Sequence, residues 1–211
     1  MFFGKKSQPD VYPGYPKLPG TLRPGAIVGI QPGEILRYDG LDLSVPLPKE
    51  ELVIEAVSSM EIFDMHIARA YTKVGDVQVL FQFNQDKNGV VLDVNCFQIF
   101  QEIYPASVTD WETWLGDNGL IGDSDLNAPN GKSYTRDWGD GAHADPVEAT
   151  EKIFLDATQA PILVKHQMML YSRPLEGERE FVLLSADEEN GQALVRALAG
   201  VVMTPAALNV Y

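Results

Sequence analysis

The residues that could do chemistry are three histidines, one cysteine and a dense run of aspartates in the middle of the chain. Asp137, Asp140, His143 and Asp145 place three carboxylates and an imidazole close together in sequence, a ligand set that a divalent metal would accept. Their spacing follows no established metal motif, and an exposed Asp/Gly loop would have the same composition. Upstream, Asp123-Ser124-Asp125-Leu126-Asn127 begins like a calcium loop, in which alternating oxygens surround the ion. Ala128 then stands where the turn glycine belongs and Tyr134 where the closing glutamate belongs, so the match ends.

His66 and His166 form a second constellation. The chain repeats itself at an offset of one hundred residues, which aligns His66 with His166, Tyr71 with Tyr171, Pro46 with Pro146, Glu51 with Glu151 and Ile62 with Ile162. With a two-residue insertion, Asn88-Gly89 meets Asn190-Gly191. This pattern is that of an old duplication, which would make the two histidines a pseudo-symmetric site. On strands, His66 shares a face with Ala68 and Ala70, and His166 shares one with Val164, Met168 and Leu170. Tyr71 and Tyr171 then face away from their own histidines. Two structural, hydrogen-bonded histidines are the plainer reading.

Other signatures of catalysis are missing. The sequence has no glycine-rich phosphate loop, Gly-x-Ser-x-Gly elbow, Cys-x-x-Cys or His-Glu-x-x-His. Gly20 to Gly33 is interrupted by Pro24 and Pro32, and no helix is expected after it. The single Cys96 lies in an apolar run, as a buried thiol would. Trp111, Trp114 and Trp138 could make a contact patch for a partner, although core packing is the commoner use of tryptophan.

The elements that must position these residues are mostly strands. Val77, Val79, Phe81 and Phe83 alternate with Gln78, Leu80, Gln82 and Asn84, an apolar face backed by a wetter one. A second alternating run starts at Val90, and Asn88-Gly89 between them suits a tight hairpin. With Ile62–Val74, residues 52–100 read as an antiparallel meander. The second copy supplies strands at 152–157, 162–173 and 180–185. Asp110 to Leu115 reads as a short helix capped by Asp110. Ser185-Ala186-Asp187-Glu188 resembles a capping box, and Leu194, Ala197 and Leu198 have helical spacing, so a C-terminal helix is expected over about 187–199.

The expected fold is therefore α+β and mainly antiparallel β. It comprises two diverged copies of a β-meander unit, a short central helix and a C-terminal helix. Its divisions are a Pro-rich arm at 1–25, a first repeat at 26–105, a short helix with an Asp/Gly-rich connection at 106–145, and a second repeat at 146–211. The net charge is −14, which argues against nucleic acid as a partner. Residues 1–25 run against that trend with Lys5, Lys6, Lys17 and Arg23 facing only Asp10. Such an arm could fold onto an acidic body or touch an anionic membrane surface. No apolar run is long enough for a transmembrane helix and no signal peptide is evident, so a cytoplasmic protein is expected.

The run Lys165-His166-Gln167-Met168-Met169-Leu170-Tyr171-Ser172-Arg173, preceded by Glu151-Lys152-Ile153-Phe154, resembles a bacterial family of unknown function typified by YjfK. The resemblance carries no catalytic residues. It implies a setting beside membrane-stress proteins, hence an accessory role at the inner face of the membrane. The function expected is a non-enzymatic accessory or adaptor protein with a protein partner and no cofactor. The alternative is a metal- or small-molecule-binding protein, or a metal-dependent enzyme, that uses the 116–145 loop. Self-assembly into a homo-oligomer through strand edges is a third expectation.

Overall fold

Alternation along a strand produces two unlike faces, and in this protein both find something to cover them. The computed structural model describes residues 11–211. Among the described residues the first elements are β1 (Ile27–Ile30), α1 (Pro32–Tyr38) and β2 (Leu52–Val53). A first four-stranded meander follows: β3 (Ala56–Ile62), β4 (Met65–Val74), β5 (Val77–Gln85) and β6 (Val91–Ile103). Next come α2 (Val108–Leu115) and a hairpin of β7 (Asp125–Asn127) and β8 (Ser133–Arg136). A second meander comprises β9 (Val147–Phe154), β10 (Ile162–Pro174), β11 (Arg179–Glu189) and β12 (Gln192–Met203). A single 3₁₀ turn, Pro205–Ala207, leads into β13 (Leu208–Val210).

The two meanders close on each other. β3 pairs antiparallel with β9, setting Ser58 opposite Ile153, and β6 pairs antiparallel with β12, setting Phe97 opposite Gly200. Eight strands thus form a closed barrel, in the order β3-β4-β5-β6-β12-β11-β10-β9 and back to β3. A barrel of eight strands has an interior just wide enough for side chains to fill. The β7–β8 hairpin continues the sheet from β10, through Arg136 and Thr135 opposite Tyr171 and Ser172.

Two caps cover the outside of this wall. The sheet β13-β1-β2, α1, and the arm residues Tyr12, Tyr15 and Leu18 pack over Ala68, Ala70, Val79, Phe81, Phe83, Cys96 and Val201. On another side Ile121, Leu126, Tyr134 and the α2 residues Trp111, Trp114 and Leu115 cover Met169, Tyr171, Val182, Leu184 and Ala197. The phenylalanine-rich face of β5 therefore points outward beneath a cap. Its polar face, with Gln82 and Asn84, points into the barrel.

Several expectations change. The helix expected at 187–199 is instead a hairpin, with β11 ending at Glu189, a turn at Asn190 (φ 52°) and Gly191 (φ 78°), and β12 beginning at Gln192. β12 is buried on both faces, so its apolar residues do not alternate cleanly and helical spacing arises by coincidence. A helix does follow Gly20 to Gly33: α1 carries Pro32 in its first turn, where a missing N–H costs nothing. The central helix is present but starts earlier. Ser107 is its N-cap, and Asp110 closes a capping box with it as the third helical residue. The strand expected from Ile62 begins after a turn at Phe63, at Met65. The two meanders have matching topologies, yet the offset of one hundred does not superimpose them. It aligns β4 positions on one side of the wall with β10 positions on the other.

The arm from Tyr12 onward lies along the barrel, with the Tyr12 amide donating to the Ala157 carbonyl at 2.5 Å. Lys5, Lys6 and Asp10 lie outside the described residues. Among the described residues no helix is long and apolar enough to cross a membrane.

Candidate functional site

The pairing register decides which polar side chains meet inside the barrel. Ser58, Arg69, Gln82 and Asn95 are successive neighbours across β3, β4, β5 and β6. From the second meander His166 stands opposite Asp187, and Ser185 opposite Arg196. Glu151 of β9 projects between these sets and joins them.

Glu151 is fully buried and uses both carboxylate oxygens. Its Oε2 accepts from Arg69 Nη1 at 3.1 Å and faces His166 Nε2 at 2.8 Å. Its Oε1 accepts from Tyr71 Oη at 2.7 Å and from Ser58 Oγ. The other ring nitrogen of His166, Nδ1, lies 2.6 Å from Asp187 Oδ1. Asp187 also accepts from Ser185 Oγ, and its Oδ2 accepts from Arg196 Nη1 at 3.0 Å. On one side the chain of contacts reaches the surface at Glu102, bound by Arg196 Nε at 3.0 Å. On the other side Arg69 donates to Gln82 from Nε at 3.0 Å and Nη2 at 2.9 Å, and Gln82 donates on to Asn84 at 3.0 Å.

Each charge is set by a contest between burial and partners. For Glu151, burial would favour the neutral acid, but the Arg69 charge and the His166 hydrogen bond outweigh it and hold the carboxyl well below the usual carboxylate range. For His166, burial would remove the extra proton, but hydrogen bonds to Asp187 and Glu151 prevail and raise its pKa above the ordinary value. Burial first, and then the Glu151 charge, push the Tyr71 hydroxyl well up, so it remains a donor. The site is an ionic network with every charge answered.

Behind this network lies a small interior cavity of about 20 Å³. In front of it, on the outer wall beside α2, is a cleft of about 980 Å³. Lys152 and Thr150 of β9, Lys165 and Gln167 of β10, and Trp111 and Leu115 of α2 line the cleft, with Glu61 and His66 at its far edge. His166 and Asp187 line both cavities, so this pair is the partition between them.

The expected site residues are distributed differently. His166 is in the network and inside the barrel. His66 is on the outer face opposite Glu61, at the rim of the cleft. The two histidines therefore lie on opposite sides of the wall and form no symmetric pair. Tyr71, not Tyr171, shares Glu151 with His166; Tyr171 faces outward and donates to the Leu120 carbonyl at 2.9 Å.

Asp137, Asp140, His143 and Asp145 do not converge. Asp137 pairs with Arg179 at 3.0 Å, and His143 Nε2 lies 3.1 Å from the Gly119 carbonyl. Among the described residues no group of three or more His, Cys, Asp or Glu side chains is arranged to hold a metal ion. The 116–145 connection is itself ordered around the β7–β8 hairpin, so Asp125 and Asn127 are strand residues and not part of a calcium loop. Trp111, Trp114 and Trp138 all pack partly buried against the barrel. Trp111 alone of the three lines the cleft. Trp138 makes an edge-to-face contact with Phe63, with ring centroids 5.7 Å apart.

Arg69, Glu151, Asp187 and Arg196 were invisible as a site in the sequence. Glu151 stands in the sequence only as the partner of Glu51 in the repeat and as part of the run that carries the family resemblance, and Ser185 and Asp187 have the pattern of a helix cap. The one available signal was the polar half of the alternation in β5 and β11. That half has the appearance of a solvated face. No curated protein and no solved structure matches the chain. A family model does match, over residues 1–209, and the chain belongs to that family, described as protein of unknown function (DUF2491).

Proposed function

We propose that the protein is a non-enzymatic accessory protein that binds a segment of another protein in the outer cleft. The cleft carries this reading. Its volume of about 980 Å³ is at the upper end of the range for ligand sites, roughly 300–1,000 Å³. Lysines, glutamates, threonine and glutamine line it beside Trp111, a mixture suited to the polar backbone and varied side chains of a polypeptide. Its floor is a strand wall braced from behind by the buried ionic network. The chemically potent groups of that network, His166 and Glu151, are engaged with one another and not offered to a substrate. The setting implied by the family resemblance, a membrane-associated stress system, belongs to this proposal, with the partner at the inner face of the membrane.

The test is a photo-crosslinking amino acid placed at Gln167 in the cleft, and separately at Lys87 in the distant β5–β6 turn, in cells that carry the protein naturally. A discrete protein adduct from Gln167, absent from Lys87 and lost on Trp111→Ala, is the expected result. Adducts that are the same from both positions, or none from Gln167, would overturn the reading.

A further inference from the structure

The side chains of Arg69, Glu151, His166 and Asp187 are each no more than 6% exposed. Two are carboxylates and one is a guanidinium, so the buried set is neutral only when His166 carries its second proton. Arg196, at 31% exposure, is shared at the edge between Asp187 and the exposed Glu102, each at 3.0 Å, so it answers Asp187 only in part. An unanswered charge in such a place is costly, because the interior screens it poorly. The geometry agrees with the count. Each ring nitrogen of His166 has a carboxylate oxygen within 2.8 Å, and only an imidazolium can donate from both.

The groups that face the ring come from several strands. They are Glu151 of β9, Ser185 and Asp187 of β11, Arg69 and Tyr71 of β4, and Arg196 of β12. β3 and β5 bring the uncharged Ser58 and Gln82 to the same network. The ring therefore ties β10 to both neighbours, β9 through Glu151 and β11 through Asp187. These three strands also form the floor of the outer cleft.

We propose that His166 is a proton-operated latch in the barrel wall: as an imidazolium it clamps β9 and β11 to β10, and its deprotonation loosens the cleft floor. Loss of the proton leaves Glu151 and Asp187 facing one ring that can donate to only one of them. The other carboxylate loses a donor, and the enclosed set gains one net negative charge that Arg69 and the shared Arg196 must then answer without the ring. Loosening therefore comes with rising pH. The latch stands on the barrel geometry alone and holds whatever occupies the cleft.

The experiment uses the full chain labelled with ¹⁵N. The His166 ring nitrogens are followed by NMR from neutral to alkaline pH, together with the backbone amides of Thr150, Lys165 and Glu188 in the cleft. At neutral pH both ring nitrogens should carry protons. As pH rises, the ring should lose one, and the three amides should move with the same midpoint while that of Lys87 does not. In His166→Gln that shared midpoint should vanish; should this variant not fold, the wild-type titration decides alone. An unprotonated ring nitrogen at neutral pH would overturn the proposal. So would a ring that keeps both protons until the protein unfolds, or one that titrates while the cleft amides stay still.

Discussion

Arg69 and Glu151 form an ion pair at 3.1 Å although their strands, β4 and β9, are not neighbours in the sheet. β3 lies between them, and the contact reaches across it on the inside of the barrel, above Ser58, which also donates to Glu151. The pair thus links the two meanders at the seam where they join. Such a pair adds little net stability compared with a well-packed apolar one, but removing a single partner strands the other.

Glu151→Ala should therefore destabilise the protein by about 3–5 kcal/mol, because Arg69 and His166 are left buried without their shared counter-ion. Glu151→Gln, which keeps an acceptor for Tyr71 and Ser58, should cost less. Urea denaturation measures both, and a Glu151→Ala midpoint equal to the wild type would show that the network is not structural.

Stability should peak under mildly acidic conditions. The raised pKa of His166 makes a contribution that is complete below its unfolded value, about 6.5, and is lost as pH rises through the folded one. The lowered pKa of Glu151 makes one that is complete above its unfolded value, about 4.3, and fades as pH falls toward the folded one. Thermal melts across pH should show this window, and His166→Gln should flatten its alkaline side.

Gly200→Ala should be among the most damaging small substitutions. A β-carbon at Gly200 would collide with the Cys96 carbonyl and the Phe97 Cα, which are backbone atoms of the paired strand β6. Backbone cannot step aside without breaking the β6–β12 seam, so a loss of about 3 kcal/mol or more is expected. A melting temperature within error of the wild type would refute the close approach.

Ser107→Ala should weaken α2 by about 1 kcal/mol by removing the side chain that accepts from the Asp110 amide at 3.1 Å. The effect should be local. Faster hydrogen exchange over 108–115 and altered tryptophan fluorescence are expected, since Trp111 and Trp114 ride on this helix, while the barrel amides stay protected.

Cys96 should resist thiol reagents in the native state. It is 1% exposed, and burial pushes its thiol up to about 12, leaving almost no thiolate. Reaction with a disulfide reagent should follow unfolding, so a rapid native-state reaction would contradict its position under the β13-β1-β2 cap.

Much of the first meander was legible in the sequence. Alternation in β5 and β6, the Asp86–Gly89 turn and the short helix before Leu115 are local patterns, set by side chains within a few residues of one another. The turn illustrates this: the Asp86 carboxylate accepts from the amides of Asn88 and Val90, both at 2.9 Å, and Gly89 takes φ 81°. The resemblance carried on 165–173 also held, since the chain belongs to a family of unknown function.

Which face of each strand was the inside could not be read from the chain. Alternation separates two faces but does not name them, and here the apolar face of β5 looks out under a cap while its polar face looks in. The strand expected to be a C-terminal helix failed for the same reason, because burial on both sides of β12 erased the period of two. The site was more hidden still. Glu151 is 82 residues from Arg69 and 80 from Tyr71, and no spacing rule connects them. Local propensity thus determined that this chain would make meanders and where they would turn. Closure of the two meanders into a barrel decided what they enclose, because only pairing β3 with β9 and β6 with β12 brings their polar faces around one buried interior.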